Sequence, residues 1–302
     1  MSTENWSRRV NSPPSSSIAH RPRQADSVSF NNVRYLSMIV QIDSRAVVSP
    51  KAQLGTNVTV GPFSVIEDDV VIGDGTWISS GVTVSSGARI GRQCKIFNGA
   101  SIAGPPQDLK YAGEKTYLEV GDNAVVREFV TLNRATAVSG ITRIGKNCLF
   151  MAYAHVAHDC QLGDNVILAN CVALGGHVVL GDWVIVGGLT PIHQFVHIGE
   201  HAMIGGGFRV GKDVPPYILA GQEPLQFERL NLVGLRRRGF DEKAVSSLDH
   251  AYRLLYKSGL NVSQAVERIK EEVEQTRAVA NVLSFIAGCK RGIIPGPGRS
   301  RE

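Results

Sequence analysis

A large apolar residue recurs at every sixth position through the middle of the chain, and this period limits the fold more than any other feature. The series starts at Leu54 and ends at Val210, and of its 27 positions only Asp108 and Glu114 fail. A period of six fits neither a helix, which repeats every ~3.6 residues, nor a plain strand, which repeats every two. It fits short strands joined by bends, with three strands per 18-residue coil and ~4.8 Å between coils.

Two flanking positions support the same reading. A small or β-branched residue precedes most of the apolar residues by two positions. Three of the five cysteines (Cys94, Cys148 and Cys160) fall there, so we expect them to fill the core. Glycine often follows the apolar residue, as at Gly61 and Gly73. We expect it to relieve crowding at the turn and to permit a positive φ. The pattern predicts an all-β parallel β-helix over residues 38–214.

Two stretches interrupt the period and are expected to loop out of the β-helix. They cover about 103–118 and about 134–142. Loops that leave a rigid scaffold often carry function. Val138 keeps the numerical register inside the second stretch, so it counts as part of the inward series.

The period stops after residue 214, and residues 215–302 are predicted to form a small α-helical C-terminal domain. Helical patterning covers 241–257 and 262–288, where Asp241 and Asn261 are candidate N-caps.

Residues 1–37 form a separate extension with nine serines, five arginines and two acidic residues. Such a composition is typical of an organellar transit segment, which would place the protein in an organelle, for example the mitochondrion. The alternative is a disordered or artificial tail, in which case a cytoplasmic protein is expected.

Charge and cysteine content exclude several functional classes. The net charge of +5 comes from the ends, because residues 41–213 hold thirteen basic and fifteen acidic residues, or −2. A nucleic-acid-binding protein would show a basic stripe there, so no nucleic acid partner is expected. No apolar run approaches the ~18 residues of a membrane span. Five cysteines without a CxxC pair suggest neither a disulfide framework nor a zinc ribbon.

The histidines are concentrated in a few coils, since six of the eight lie between positions 155 and 201. Adding 18 gives the neighbour in the next coil. His158 therefore stacks under Gly176 and then Gln194, and His177 stacks over Asp159. A histidine beside an aspartate is a general-base arrangement, because the carboxylate fixes the tautomer of the imidazole.

Other readings of this patch stay open. The patch also includes His193, which lies beside Gln194, and His155 lies one corner away. The alternative to a functional cluster is that these outward histidines belong to a plain surface or to a trimer contact. Three converging histidines would suit Zn²⁺, as in the trimeric β-helical γ-class carbonic anhydrases. A non-catalytic β-helical assembly subunit is a further alternative.

Several segments resemble the bacterial UDP-N-acetylglucosamine acyltransferases, the first enzymes of lipid A biosynthesis. They are MAYAHVAHDCQLGDNVILANCVALGGHV at 151–178, QDLKYAGE at 107–114, PIHQF at 191–195, DVPPY at 213–217 and NLVGLRRRGF at 231–240. The resemblance runs from about residue 39 to about residue 294. It implies a left-handed β-helix and a homotrimer with active sites between subunits. It also implies transfer of an R-3-hydroxyacyl chain from the phosphopantetheine of acyl carrier protein to the 3-hydroxyl of UDP-N-acetylglucosamine, with no bound cofactor or metal.

Roles follow from this resemblance position by position. His158 would be the general base, oriented by Asp159, and the N–H of Gly176 would face the oxyanion. Substrate-contacting positions would be Asp108 and Lys110 for the glucosamine, Asn231, Arg237 and Arg238 for the nucleotide diphosphate, and Asn133, His155, His177, His193 and Gln194 around the reacting groups. Met203 and Gly206 would line the acyl groove.

Two positions within the matched region depart from the family pattern. Asn133 stands where the family has a histidine that contacts substrate. Val233 replaces an acidic residue that contacts the nucleotide. Every residue implied for the chemical step is present, so the sequence predicts an active enzyme.

Overall fold

The computed structural model of the protein describes residues 40–298, so the predicted transit segment at 1–37 lies outside the described residues. The β-helix is built from very short strands. They are β1 (Gln41–Ile42), β2 (Val47–Val48), β3 (Gln53–Leu54), β4 (Thr59–Val60), β5 (Val65–Ile66), β6 (Val71–Ile72), β7 (Trp77–Ile78), β8 (Thr83–Val84), β9 (Ala88–Ile90), β10 (Lys95–Ile96), β11 (Ser101–Gly104), β12 (Tyr117–Val120), β13 (Val125–Val126), β14 (Thr131–Asn133), β15 (Ile141–Ile144), β16 (Leu149–Phe150), β17 (His155–Val156), β18 (Gln161–Leu162), β19 (Ile167–Leu168), β20 (Ala173–Leu174), β21 (Val179–Leu180), β22 (Ile185–Val186), β23 (Pro191–Ile192), β24 (His197–Ile198) and β25 (Met203–Ile204).

Every third strand pairs in parallel, which gives the three flat sides of a left-handed β-helix. One sheet runs β1-β4-β7 and onward to β25, the second runs from β2 to β23, and the third runs from β3 to β24. Regular coils pair residues 18 positions apart, as in Gln41 with Thr59. The structure therefore confirms the predicted fold class.

The apolar series fills a narrow interior, as predicted. Ile66, Ile78 and Leu174 are each no more than 1% exposed. The small position is buried too, and where it is polar it bonds to the next coil. Ser64 Oγ donates to the Ser79 carbonyl at 2.7 Å. A polar side chain inside the β-helix is thus satisfied without water.

The glycines of the repeat have a different role from the one expected. Gly73 and Gly145 do not adopt a positive φ, which was the wrong part of the prediction. Left-handed backbone instead occurs at corner residues that are mostly not glycine, such as Asn147 with a φ of 57°. Crowding is the real constraint: a Cβ on Gly73 would lie 2.7 Å from the carbonyl carbon of Gly91 in the next coil. Only glycine allows the two backbones to approach so closely.

Both interruptions leave the β-helix as loops, but the ends of each stretch stay in strands. The first loop covers 105–116, between β11 and β12, and the second loop covers 134–140, between β14 and β15. Paired residues across them are 30 and 24 positions apart, as in Ile102 with Leu132 and Leu132 with Val156, instead of 18. The insertions of twelve and six residues are multiples of the period. Val138 therefore keeps the numerical register although it is exposed, and its inward placement was wrong.

The C-terminal region contains a hairpin as well as helices. β26 (Ile218–Gly221) extends the first sheet and pairs antiparallel with β27 (Gln226–Leu230). The helices are α1 (Leu232–Arg237), α2 (Glu242–Lys257), α3 (Val262–Glu272) and α4 (Arg277–Gly288). Asp241 and Asn261 cap α2 and α3, as expected.

Two features of this region differ from the sequence-based prediction. The hairpin and α1 were not predicted. The stretch 262–288 is two helices, because Thr276 caps a second helix at its start. Among residues 40–298, no helix is long and apolar enough to cross a membrane.

The buried thiols give a test of this interior. Burial raises the pKa of Cys148 to about 11 and that of Cys160 to about 12. Only the thiolate is nucleophilic, so both should remain unmodified by iodoacetamide at mildly alkaline pH while the protein is folded. Peptide mass spectrometry should find them alkylated only after unfolding in guanidinium. Alkylation of Cys160 in the folded protein at the rate of a free cysteine would contradict the structure.

Candidate active site

His158 and Asp159 form a hydrogen-bonded pair at the corner between β17 and β18. His158 Nδ1 lies 2.7 Å from Asp159 Oδ2. The Asp159 side chain is fully buried, whereas that of His158 is 13% exposed. Since a carboxylate only accepts, the geometry assigns the proton to Nδ1 and leaves the Nε2 lone pair free. The pair is thus arranged as a general base with its orienting group.

The second loop supplies donors that hold the carboxylate. Thr136 Oγ1 donates to Asp159 Oδ2 at 2.8 Å, and both the hydroxyl and the N–H of Ser139 donate to Oδ1. From the β15 strand, Thr142 Oγ1 accepts from the Asp159 N–H at 2.8 Å. The sequence predicted a functional loop here but did not identify these three residues. Their only signal is the run of threonine and serine in 134–142.

These hydrogen bonds set the charge of Asp159. Burial is the largest single influence and pushes its pKa up. The bonds from Ser139, His158 and Thr136 together outweigh it, so the pKa lies below its usual value. The carboxylate therefore stays ionised and can stabilise an imidazolium beside it.

The same donors decide whether a metal fits. Ligand atoms of His158, Asp159 and His177 lie within 4.8 Å of one another. The roughly four lone-pair positions of a carboxylate are taken, however, by Thr136, Ser139 and His158. The described residues thus bring two histidines and an occupied carboxylate together, and this set does not fit the three-histidine zinc site of the alternative reading.

Gly176 and His177 stack on the pair from the next coil, as adding 18 predicts. A Cβ on Gly176 would lie 2.6 Å from Cε1 and 2.8 Å from Nε2 of His158. His177 Nε2 lies 3.7 Å from Asp159 Oδ2, and its ring stacks on Phe195 with centroids 4.5 Å apart. Within residues 40–298, no acceptor pairs with the Gly176 N–H. An unpaired donor therefore lies close to the free nitrogen of His158.

His155 lies on the strand that leads into this corner. Its Nδ1 is 2.7 Å from Thr131 Oγ1, because β14 and β17 are paired. Burial, followed by repulsion from His158, lowers the pKa of His155. The neutral imidazole is favoured, so His155 is suited to hydrogen bonding rather than to carrying charge.

The first loop carries Asp108 and Lys110, and it leaves the β-helix at the same corner as His158, two coils earlier, between β11 and β12. Asp108 Oδ1 accepts from the Lys110 N–H at 2.9 Å, and Lys110 is exposed. Asn133 is buried at the base of the loop and donates through Nδ2 to the carbonyls of Gly104 and Pro105, at 3.1 and 2.8 Å. Its Oδ1 is buried without a partner. Asn133 therefore anchors the loop and leaves one acceptor open.

The residues implied for the nucleotide lie at the two ends of α1, with Asn231 at its start and Arg237 and Arg238 at its end. Asn231 caps this helix, and its Nδ2 donates to the His201 carbonyl at 2.9 Å. The Arg238 guanidinium lies 4.8 Å from the Trp183 ring centroid, and its Nη1 is 3.4 Å from His201 Nδ1. Arg237 is exposed. No hydrogen bond or ion pair within the described residues joins this group to the histidine–aspartate pair.

The remaining implied residues lie on later coils of the β-helix, towards its C-terminal end. His193 Nδ1 is 2.9 Å from the Gln194 carbonyl, one coil above the glycine that faces the base. Met203, on β25, is 36% exposed, and Gly206 is exposed nearby. One chain therefore holds the implied residues in several separate groups. Their roles in binding stay predictions.

Comparison with known proteins adds to this geometry. Residues 213–294 match the family model described as Udp N-acetylglucosamine O-acyltransferase, Domain 2, and residues 141–176 match the bacterial transferase hexapeptide model. Two relatives named acyl-[acyl-carrier-protein]--UDP-N-acetylglucosamine O-acyltransferase are 47% identical, in Thiobacillus denitrificans, and 48% identical, in Leptothrix cholodnii. The first match covers 84% of this chain and 98% of the relative, the second 85% and 100%.

Solved structures match over the same region. A UDP-N-acetylglucosamine acyltransferase from Bacteroides fragilis has a TM-score of 0.83 at 42% identity, over 84% of this chain and 100% of the other. The Arabidopsis enzyme of that name has a TM-score of 0.75 at 35% identity, over 84% and 99%.

The second loop's control of Asp159 can be tested directly. Replacing both hydroxyls, Thr136→Val with Ser139→Ala, should raise the Asp159 pKa, because burial then acts with fewer opposing hydrogen bonds. Carbon-13 NMR titration of the aspartate carboxyls measures this. Thr131→Val removes a hydroxyl that bonds His155 instead, and it should leave Asp159 unchanged. An unshifted Asp159 in the double variant would contradict the assignment.

Proposed function

The chain belongs to the UDP-N-acetylglucosamine O-acyltransferase family, and from this premise we propose that it transfers an R-3-hydroxyacyl chain from acyl carrier protein to the 3-hydroxyl of UDP-N-acetylglucosamine. The chain is an acyltransferase. The proposed reaction is the first step of lipid A biosynthesis. The single observation that carries the mechanism is the His158–Asp159 pair, whose free Nε2 lies beside Gly176 in the next coil.

In the proposed chemical step, His158 acts as general base. Its Nε2 takes the proton of the sugar 3-hydroxyl, and the oxygen attacks the thioester carbonyl. The buried carboxylate of Asp159 stabilises the resulting imidazolium without accepting its proton. The mechanism needs no covalent intermediate on the enzyme.

The tetrahedral intermediate carries a negative oxygen, and the Gly176 N–H is the proposed donor to it. A backbone donor fixed by the coil costs little reorganisation during the reaction. When the intermediate collapses, the carbon–sulfur bond breaks and the phosphopantetheine thiolate leaves. The thiolate recovers the proton from His158, which returns the base to its starting state.

The separation of the implied residues within one chain supports a homotrimer with active sites between subunits. In that arrangement Asp108 and Lys110 of one subunit and Asn231 and Arg238 of another would face the same sugar nucleotide. Exposed aromatic side chains on one corner are consistent with such packing. Phe129 and Tyr153 are 48% and 60% exposed and stack on each other at 5.3 Å.

His158→Ala tests the general base. Acyl transfer from acyl carrier protein should fall by about 10²–10⁴-fold, the usual contribution of general-base catalysis. His250→Ala is the matched control. His250 is exposed on α2, and it is neither part of the His158–Asp159 pair nor one of the residues that hydrogen-bond to Asp159. The measurement is the steady-state kcat with both substrates saturating. Near-full activity of the His158 variant would remove the residue from the mechanism.

Gly176→Ala tests the space beside the base. The new Cβ would overlap the His158 ring, so the ring must shift, and a misplacement of ~1 Å can cost about 10²-fold in rate. Gly288→Ala is the control, because a Cβ there meets nothing within 4 Å. Both variants should melt near the wild-type temperature. A Gly176 variant with wild-type kcat would show that this close approach is not needed.

A further inference from the structure

A cavity of about 790 Å³ lies next to His193, above the candidate active site. Its walls come from the last turn of the β-helix at 209–212, the hairpin turn at 223–225 and the C-terminal segment 291–295. Backbone hydrogen bonds hold these segments together. The Asp213 N–H donates to the Gly292 carbonyl, and the Ile294 N–H donates to the Asp213 carbonyl, at 3.1 and 2.9 Å. The backbone that carries the side chains lining the cavity is therefore held in place.

The charge around the cavity is positive and unpaired. Arg209, Lys212 and Arg291 line it, and none of them has an ion-pair partner within the described residues. Glu223 is the one acidic residue in the lining, and it accepts only from the Arg209 backbone N–H, at 3.5 Å. Three cations against one carboxylate leave a formal charge of +2. Such a site favours an anion with several acceptor oxygens, which arginine and lysine bind well.

Lys212 also lies in the same vertical column as His158, where a column is a set of residues that stack from one coil to the next. His158, Gly176, Gln194 and Lys212 are spaced by 18 residues, and the bridge between Ile192 and Val210 continues the stacking to this last turn. Three coil steps place Lys212 roughly 14 Å above His158. The chain from the sulfur to the phosphorus of phosphopantetheine is about as long as four extended residues, roughly 13–14 Å. A thioester at His158 would thus bring its phosphate to this cavity.

We propose that this cavity binds the phosphate of the acyl donor's phosphopantetheine arm, with Arg209 and Lys212 as its main ligands. The inference rests on the proposed function and adds a subsite to it. The nucleotide diphosphate carries the same chemistry, but the residues implied for it, Asn231 and Arg238, lie around Trp183 and His201 instead. A phosphopantetheine phosphate and a nucleotide diphosphate are therefore expected to respond differently when the cavity residues are replaced.

The experiment compares two small donors with and without the phosphate, acyl-4′-phosphopantetheine and acyl-pantetheine, at saturating UDP-N-acetylglucosamine. The wild-type enzyme should prefer the phosphorylated donor in kcat/KM by about tenfold or more, as expected for hydrogen bonds to a charged group. In the double variant Arg209→Gln with Lys212→Gln, the ratio should fall towards one, while the kcat/KM for acyl-pantetheine stays unchanged. Glu223→Gln should increase the ratio.

Lys51→Gln is the matched control, because it removes one positive charge from an early coil of the β-helix. It should keep the wild-type ratio. An unchanged ratio in the double variant overturns the subsite, and a raised KM for UDP-N-acetylglucosamine alone would assign the cavity to the nucleotide instead. If the wild-type enzyme transfers no acyl group even from intact acyl carrier protein, the proposed function fails and the subsite fails with it.

Discussion

Close stacking of one coil's backbone on the next is the constraint on which the rest of this structure depends. A Cβ on Gly145 would lie 2.4 Å from the carbonyl oxygen of Gly163, so the coils approach as far as glycine allows. Hydrogen bonds between coils hold this spacing, as in Gly145 N to the Leu162 carbonyl at 2.9 Å. The interior is correspondingly narrow, and small or aliphatic side chains fill it. Because every coil repeats the same path, residues 18 apart form straight columns along the outside.

These columns determine where the residues of the candidate active site lie. At one corner the chain takes left-handed backbone at Asp159, His177 and Phe195, with φ values of 61°, 61° and 64°. The three side chains are therefore vertical neighbours, and the preceding residues, His158 and Gly176, face each other in the same way. A burial of this kind would ordinarily neutralise a carboxylate. The hydrogen bonds from the second loop prevent that, so a rigid repeat and one irregular loop make the site together.

The sequence determines the regular part of this arrangement and not the irregular part. The stacking of His158 under Gly176 follows from counting, because nothing but the coil period decides it. The hydrogen bond from Thr136 to Asp159 depends on the conformation of the second loop, and the six-residue period does not predict that conformation. Val138 shows that counting by six can also mislead. The six-residue insertion keeps Val138 at a numerically inward position, although its side chain lies on the surface. In the C-terminal region, helical patterning continues through the point where Thr276 begins a new helix, so only the caps show the break.

The exchange at Asn133 can be understood from its hydrogen bonds. Nδ2 supplies both of its protons to the carbonyls of Gly104 and Pro105, which fixes the base of the first loop. A neutral imidazole has one N–H and could hold only one of these carbonyls. The amide holds both and still keeps Oδ1 as an acceptor, and it does so at any pH. The anchor of the first loop is therefore the same at every pH, whereas an imidazole at this position would change its hydrogen bonding on protonation.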